Sequence, residues 1–172
     1  MSNNRIHIVC LDVPFPPDYG GVFDLFYKII YLSRQGVGII LHCFEYGRGR
    51  QSELEKYCEN VYYYPRKKSV SFRIPYIVSS RRNTTLLDRL LADDYPVLLE
   101  GIHCTYYLFN GALSQKKCFV RLHNIEYRYY NNLAKSEKKI LRKIYFKFES
   151  LLLRKYEKAI ASKGKFLCVS EH

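Results

Sequence analysis

The chain is 172 residues long and 48% hydrophobic, enough for one ordinary core and no argument for two domains. Lys and Arg number 28 against 16 Asp and Glu, so the formal charge of +12 points to anionic partners. No apolar run reaches the length of a membrane-spanning helix, and the six cysteines, at 10, 43, 58, 104, 118 and 168, lack the paired spacing of a metal site.

The first strand is expected at residues 6–11, followed by a proline-rich loop over 12–20. A helix over 21–34 has apolar residues mostly three and four apart, and Gln35-Gly36 supplies its stop. A second strand follows at 37–44. After the loop Gly47-Arg48-Gly49-Arg50, Ser52 and Glu55 have the spacing of a capping box for a short helix over 52–58. A third strand covers 61–64. Residues 66–82 form a basic connection in which Pro75 interrupts any helix. Asn83 or Thr84 caps a helix running to Leu91, a short buried strand covers 97–99, and a helix is predicted over 105–113. The fifth strand is 118–122. Residues 125–162 are helical in pattern and too long for one globular helix, so a break is placed near 134–136. In the second piece Leu141, Ile144, Tyr145, Phe148, Leu151, Leu152, Tyr156, Ala159 and Ile160 form an apolar stripe opposite the lysines. A sixth strand begins at Lys165 and runs to Val169.

Strand alternating with helix implies parallel βα units and a sheet covered on both faces. In such a sheet ligands gather at the carboxyl ends of the strands, and three polar turns stand there. The first, Asp18-Tyr19-Gly20-Gly21, opens the first helix, where backbone amides and residues without a Cβ admit a phosphate. Plain turn chemistry is the commoner account of such a pair. The second, Glu100-Gly101-Ile102-His103, sets an acid and a histidine after the fourth strand, with a simple helix entry as the alternative. The third places Arg121, His123, Asn124 and Glu126 within six residues, offering donors, acceptors and a fixed cation to sugar hydroxyls and phosphates. His7 and His42 lie inside strands and are expected to be packed. Cys10, Cys43, Cys118 and Cys168 sit in apolar runs, as buried free thiols do, which points to a reducing, cytoplasmic compartment; no signal peptide is evident.

Taken together, Ile8-Val9-Cys10 through Pro14, Pro17 and Gly20-Gly21, Glu100-Gly101-x-His103, Arg121-Leu122-His123-Asn124-x-Glu126-x-x-Tyr129-Tyr130, the long basic helix and Cys168-Val169-Ser170-Glu171 span nearly the whole chain. In this order they resemble the N-terminal domain of the group 1 retaining glycosyltransferases. The resemblance implies a three-layer, Rossmann-like, doubly wound parallel α/β sheet forming the N-terminal half of a GT-B fold. One domain would cover 1–172, and the nucleotide-sugar domain would lie beyond it. It further implies that Gly20 and Gly21 approach the donor diphosphate, that His123 lies beside the donor sugar as the catalytic residue, and that Glu100, His103 and Glu126 line the acceptor side. The reaction implied is hexose transfer from a nucleoside-diphosphate sugar to a saccharide or lipid-linked acceptor, in cell-surface polysaccharide synthesis, with no metal or other cofactor.

Residues 135–165 carry eleven Lys or Arg against three Glu, a face suited to solvent, to an anionic membrane surface or to a polyanion. The alternative to a transferase is a basic nucleic-acid-binding module, motivated by the net charge, Arg66-Lys67-Lys68 and the tyrosines. No helix-turn-helix, zinc-finger or RNA-recognition signature supports it, and no nucleic-acid partner is expected. A self-contained sugar-phosphate enzyme such as an epimerase lacks its glycine fingerprint here.

Overall fold

Short apolar runs of four to eight residues, separated by helices and polar turns, are the pattern of strands buried on both faces. In the computed structural model, which describes residues 4–69 and 71–168, they pair as β1 (Arg5–Cys10), β2 (Gly38–Glu45), β3 (Asn60–Pro65), β4 (Val97–Glu100), β5 (Cys118–Leu122) and β6 (Lys165–Cys168). All five pairings are parallel and the order is β3-β2-β1-β4-β5-β6. This is the doubly wound, Rossmann-like arrangement, with its topological switch between β1 and β4.

Alternation along the strands sends side chains to two cores. On one face Ile8, Cys10, Ile39, Leu41 and Leu98 pack with Leu25, Phe26 and Ile29 of α1 (Gly20–Arg34) and with Leu54 of a 3-10 turn. On the other, Val9, Phe44, Leu99 and Val120 meet Leu86 and Leu90 of α3 (Thr84–Leu91) and Tyr107 and Leu108 of α4 (Tyr106–Phe109). That face continues through Ile77 and Val78 of α2 (Tyr76–Ser79) to Leu153, Tyr156 and Ile160 of α6 (Ile140–Ile160), which pairs with α5 (Glu126–Ser136).

Several local expectations change. Residues 52–56 form a 3-10 turn rather than a capped α-helix, because Gln51 is the entry residue and its amide donates to Tyr63 Oη at 3.0 Å. The helix expected over 105–113 is a single turn at 106–109, ended by Gly111 at φ 85°. The basic connection contains α2, with Pro75 at its N-cap, where a missing N–H costs nothing. The long helical stretch breaks at 137–139 instead of 134–136. Asn83 caps α3 as expected, its Oδ1 accepting from the Leu86 amide at 3.2 Å. Val169 and Ser170-Glu171 lie outside the described residues. So does the side chain of Cys168, while Cys10, Cys43 and Cys118 are buried free thiols.

His7 and His42 are packed, and bonded as well. Arg89 Nη1 reaches Tyr64 Oη at 3.1 Å, Tyr64 Oη meets His42 Nδ1 at 2.9 Å, His42 Nε2 meets His7 Nδ1 at 2.9 Å, and His7 Nε2 meets Asp93 at 3.0 Å. The carboxylate at one end only accepts, so with neutral imidazoles every proton along the chain is assigned, and the guanidinium at the other end finds its acceptor in Tyr64. Tyr64 donates to His42, His42 to His7 and His7 to Asp93. Both imidazoles are then fully bonded. Burial drives the His42 pKa down to about 3 and also lowers that of His7, in agreement with that assignment.

Candidate functional site: the carboxyl edge of the sheet

The β4–β5 register sets Glu100 beside Arg121. Both point to the face that α1 covers, where Asp24 and Lys28, one turn apart, reach down between them. Glu100 is wholly buried, yet it is surrounded by donors: Lys28 Nζ at 2.5 Å, His123 Nε2 at 3.0 Å and Arg121 Nη1 at 3.6 Å. Arg121 also pairs with Asp24. Burial alone would raise the Glu100 pKa, but the His123 hydrogen bond and the Lys28 ammonium outweigh it and hold it below the ordinary value. Glu100 is therefore an anion at neutral pH, and it fixes the His123 ring. With the Nε2 proton donated to Glu100, Nδ1 faces Arg121 Nη1 at 3.5 Å.

The other expected positions distribute around this pair. Gly101 adopts φ 82° and ψ 161°, a region open essentially to glycine alone, and a Cβ there would stand 3.0 Å from His103 Nδ1. That Nδ1 is buried and has no hydrogen-bond partner among the described residues. Burial first, then the positive charge of Arg81, hold the His103 pKa well below its usual value, so the ring is neutral. Gly20 and Gly21 open α1, whose N-cap Tyr19 makes no side-chain capping bond among the described residues, and a Cβ on Gly20 would meet nothing within 4 Å. A Cβ on Gly21 would meet only the Tyr19 ring, at 3.9 Å. Asn124 is exposed. Glu126 is buried in the first turn of α5, and burial together with the neighbouring Glu157 carboxylate raises its pKa to about 7.

Four contributors lie outside the motifs that the sequence points to. Asp24 and Lys28 are polar residues four apart on a mostly apolar helix, a signal that was present but looks like ordinary surface pairing. Arg48 pins the loop that follows β1, reaching Pro16 O at 2.7 Å, Asp18 Oδ1 at 2.5 Å and Asp12 Oδ2 at 3.4 Å. Arg81 is buried with Nε on Leu11 O at 3.0 Å and Nη1 on Ile77 O at 2.6 Å, tying α2 to the end of β1. Burial pushes its pKa down to about 10. Among the described residues no group of three or more His, Cys, Asp or Glu is placed to hold a metal ion.

Comparison with known proteins gives one informative relative. An uncharacterized 44.6 kDa protein in the cps region of Klebsiella pneumoniae is 31% identical over 178 residues, covering 97% of this chain and 46% of that protein. The chain thus spans about half the length of the relative it matches. No protein-family model matches the chain, and no solved structure does.

Proposed function

We propose that this domain is the acceptor-side half of a sugar-nucleotide-dependent glycosyltransferase of the GT-B type, acting in the synthesis of a cell-surface polysaccharide. The observation that carries the reading is the Glu100–His123 pair at the adjoining ends of β4 and β5, beside the switch point and in contact with α1 through Lys28. The 31% identity to a protein in a cps region supports the polysaccharide setting.

In this mechanism the α1 amides at Gly20 and Gly21 receive the donor diphosphate, whose nucleotide is held by a second domain. The departing diphosphate carries growing negative charge, so fixed donors and a helix N-terminus lower the barrier without reorganising. His123 is the catalytic residue, oriented toward the transferred hexose by Glu100, which acts as a positioning residue because it has no exposed surface of its own. His103, Asn124 and Glu126 stand on the acceptor side, a saccharide or lipid-linked hydroxyl. Transfer proceeds with retention and without a covalent enzyme nucleophile; the acceptor oxygen is held on the same face as the leaving group. His123→Ala in the complete enzyme is expected to lower turnover more than about tenfold, the scale of one positioned polar contact. Turnover close to wild type would remove His123 from the site.

A further inference from the structure

The apolar stripe of α6 is covered along only part of its length. Leu152, Leu153, Tyr156 and Ile160 are buried, whereas Ile140 (74%), Leu141 (83%) and Ile144 (61%) are open to solvent, with Phe148 and Leu151 exposed on the same side. At about 100° per residue these five fall within about 100° of the helix circumference. Phe72, 80% exposed, stands edge-on to Phe148 at 6.2 Å, so the patch extends beyond the helix. The sequence pattern gives the stripe opposite the lysines; its second half enters the core, and its first half keeps Leu141 and Ile144, with Ile140 beside them, open to solvent.

Charge indicates what covers the patch. Between Lys135 and Phe148 there are six Lys or Arg and one acid, Glu137. Lys135 and Lys143 share with Ala134, Ile144, Phe148 and Leu151 the lining of a groove of about 670 Å³ between α5 and α6. Cations around a contiguous apolar surface are the composition of a helix lying in a lipid interface. No helix of the described residues is long and apolar enough to cross a membrane.

We propose that the N-terminal half of α6 seats this domain on an anionic lipid bilayer. Ile140, Leu141, Ile144, Phe148 and Phe72 enter the boundary between headgroups and acyl chains, and the lysines extend along the surface to the lipid phosphates. A second copy fits less well, since a two-fold contact through this patch would bring two sets of lysines together. Nucleic acid would engage the lysines and leave the apolar side chains in water. The inference rests on α6 and is independent of the chemistry at the cleft.

The test is co-sedimentation of the 172-residue chain with phosphatidylcholine vesicles and with vesicles in which roughly a quarter of the lipid is phosphatidylglycerol, an anionic fraction sufficient to attract basic segments. Binding is expected only to the second kind. Leu141 and Ile144 are exposed, so the double variant Leu141→Glu, Ile144→Glu is expected to fold normally, checked by an unchanged thermal midpoint, and to partition about tenfold less. Lys143→Glu with Lys147→Glu is expected to weaken binding to a similar degree and to flatten its salt dependence. Absence of binding to the anionic vesicles overturns the proposal. Equal binding by the Leu141/Ile144 variant also overturns it, by reducing the contact to charge alone. A dimer in sedimentation that this variant abolishes, without vesicle binding by the wild type, assigns the patch to a second copy instead.

Discussion

Two histidine–carboxylate pairs lie on the same sheet, and they differ in how their surroundings close. His7 bonds Asp93 inside a chain whose ends are a pure donor and a pure acceptor, so every polar atom between Arg89 and Asp93 is used. His123 bonds Glu100 in a cluster that also contains Lys28, Arg121 and Asp24, and that cluster opens at the carboxyl rim with His123 partly exposed. The first network is a neutral element of the core. The second gathers four charged side chains around a histidine that keeps about a fifth of its side-chain surface exposed, 21%. A strand histidine with a carboxylate partner is therefore not by itself a site; what distinguishes the two is whether the partners are all accounted for.

Breaking the closed chain has the largest expected effect on stability. His42→Leu leaves His7 Nδ1 without its donor and the Tyr64 hydroxyl without its acceptor, and is expected to cost about 3 kcal/mol in urea unfolding at pH 7.5. The sign with pH follows from the lowered pKa. An unfolded histidine takes up a proton below about 6.5 while folded His42 resists until about 3, so its contribution is present above about 6.5 and is lost as pH falls through that window. The difference between wild type and His42→Leu should shrink steadily from pH 7 to pH 4. A difference that stays constant over that range would mean that His42 is not held neutral.

Opening the charged cluster from within comes next. Glu100→Gln keeps the shape but removes the anion between Lys28 and Arg121, both themselves mostly buried, and is expected to cost about 2 kcal/mol. For the transfer reaction proposed above it is also expected to lower kcat more than it raises KM, because the His123 ring loses the carboxylate bonded to it; an unchanged kcat would separate Glu100 from the chemistry. The smallest expected effect is a gain. Glu126 has its pKa raised to about 7, so its ionisation opposes folding above that pH and not below about 4.5. Glu126→Gln should therefore stabilise the domain by about 1 kcal/mol at pH 8 and have little effect at pH 5; equal effects at both would place the Glu126 carboxylate in water.

Most of the sheet is legible from sequence because a buried parallel strand must be a short apolar run, and 118–122 falls where that rule puts it. The helix boundaries that shifted did so for local reasons. Gly111 at positive φ ends α4 early, and Gln51 takes the entry position that Ser52 would have needed for a capping box. At the rim, Glu100, Arg121 and His123 were legible because polar residues directly after buried strands are hard to explain by packing. Asp24 and Lys28 were not, since nothing in the spacing of two helix residues reveals that they reach across to another strand's end. The exposure of Ile140, Leu141 and Ile144 was equally hidden: periodicity reports that a helix has an apolar face, and only tertiary structure reports what lies against it.

Gly101 carries a consequence for how such a domain can diverge. Its backbone angles disfavour side chains, and a Cβ there would crowd the His103 ring while resting at ordinary contact distance from Leu11. Replacement would strain the turn and press on the His103 ring, 3.0 Å away. The spacing between the strand-end acid and the following histidine is thus set by the main chain itself, and copies that drift elsewhere are expected to retain this one unadorned residue as the hinge pin of the rim.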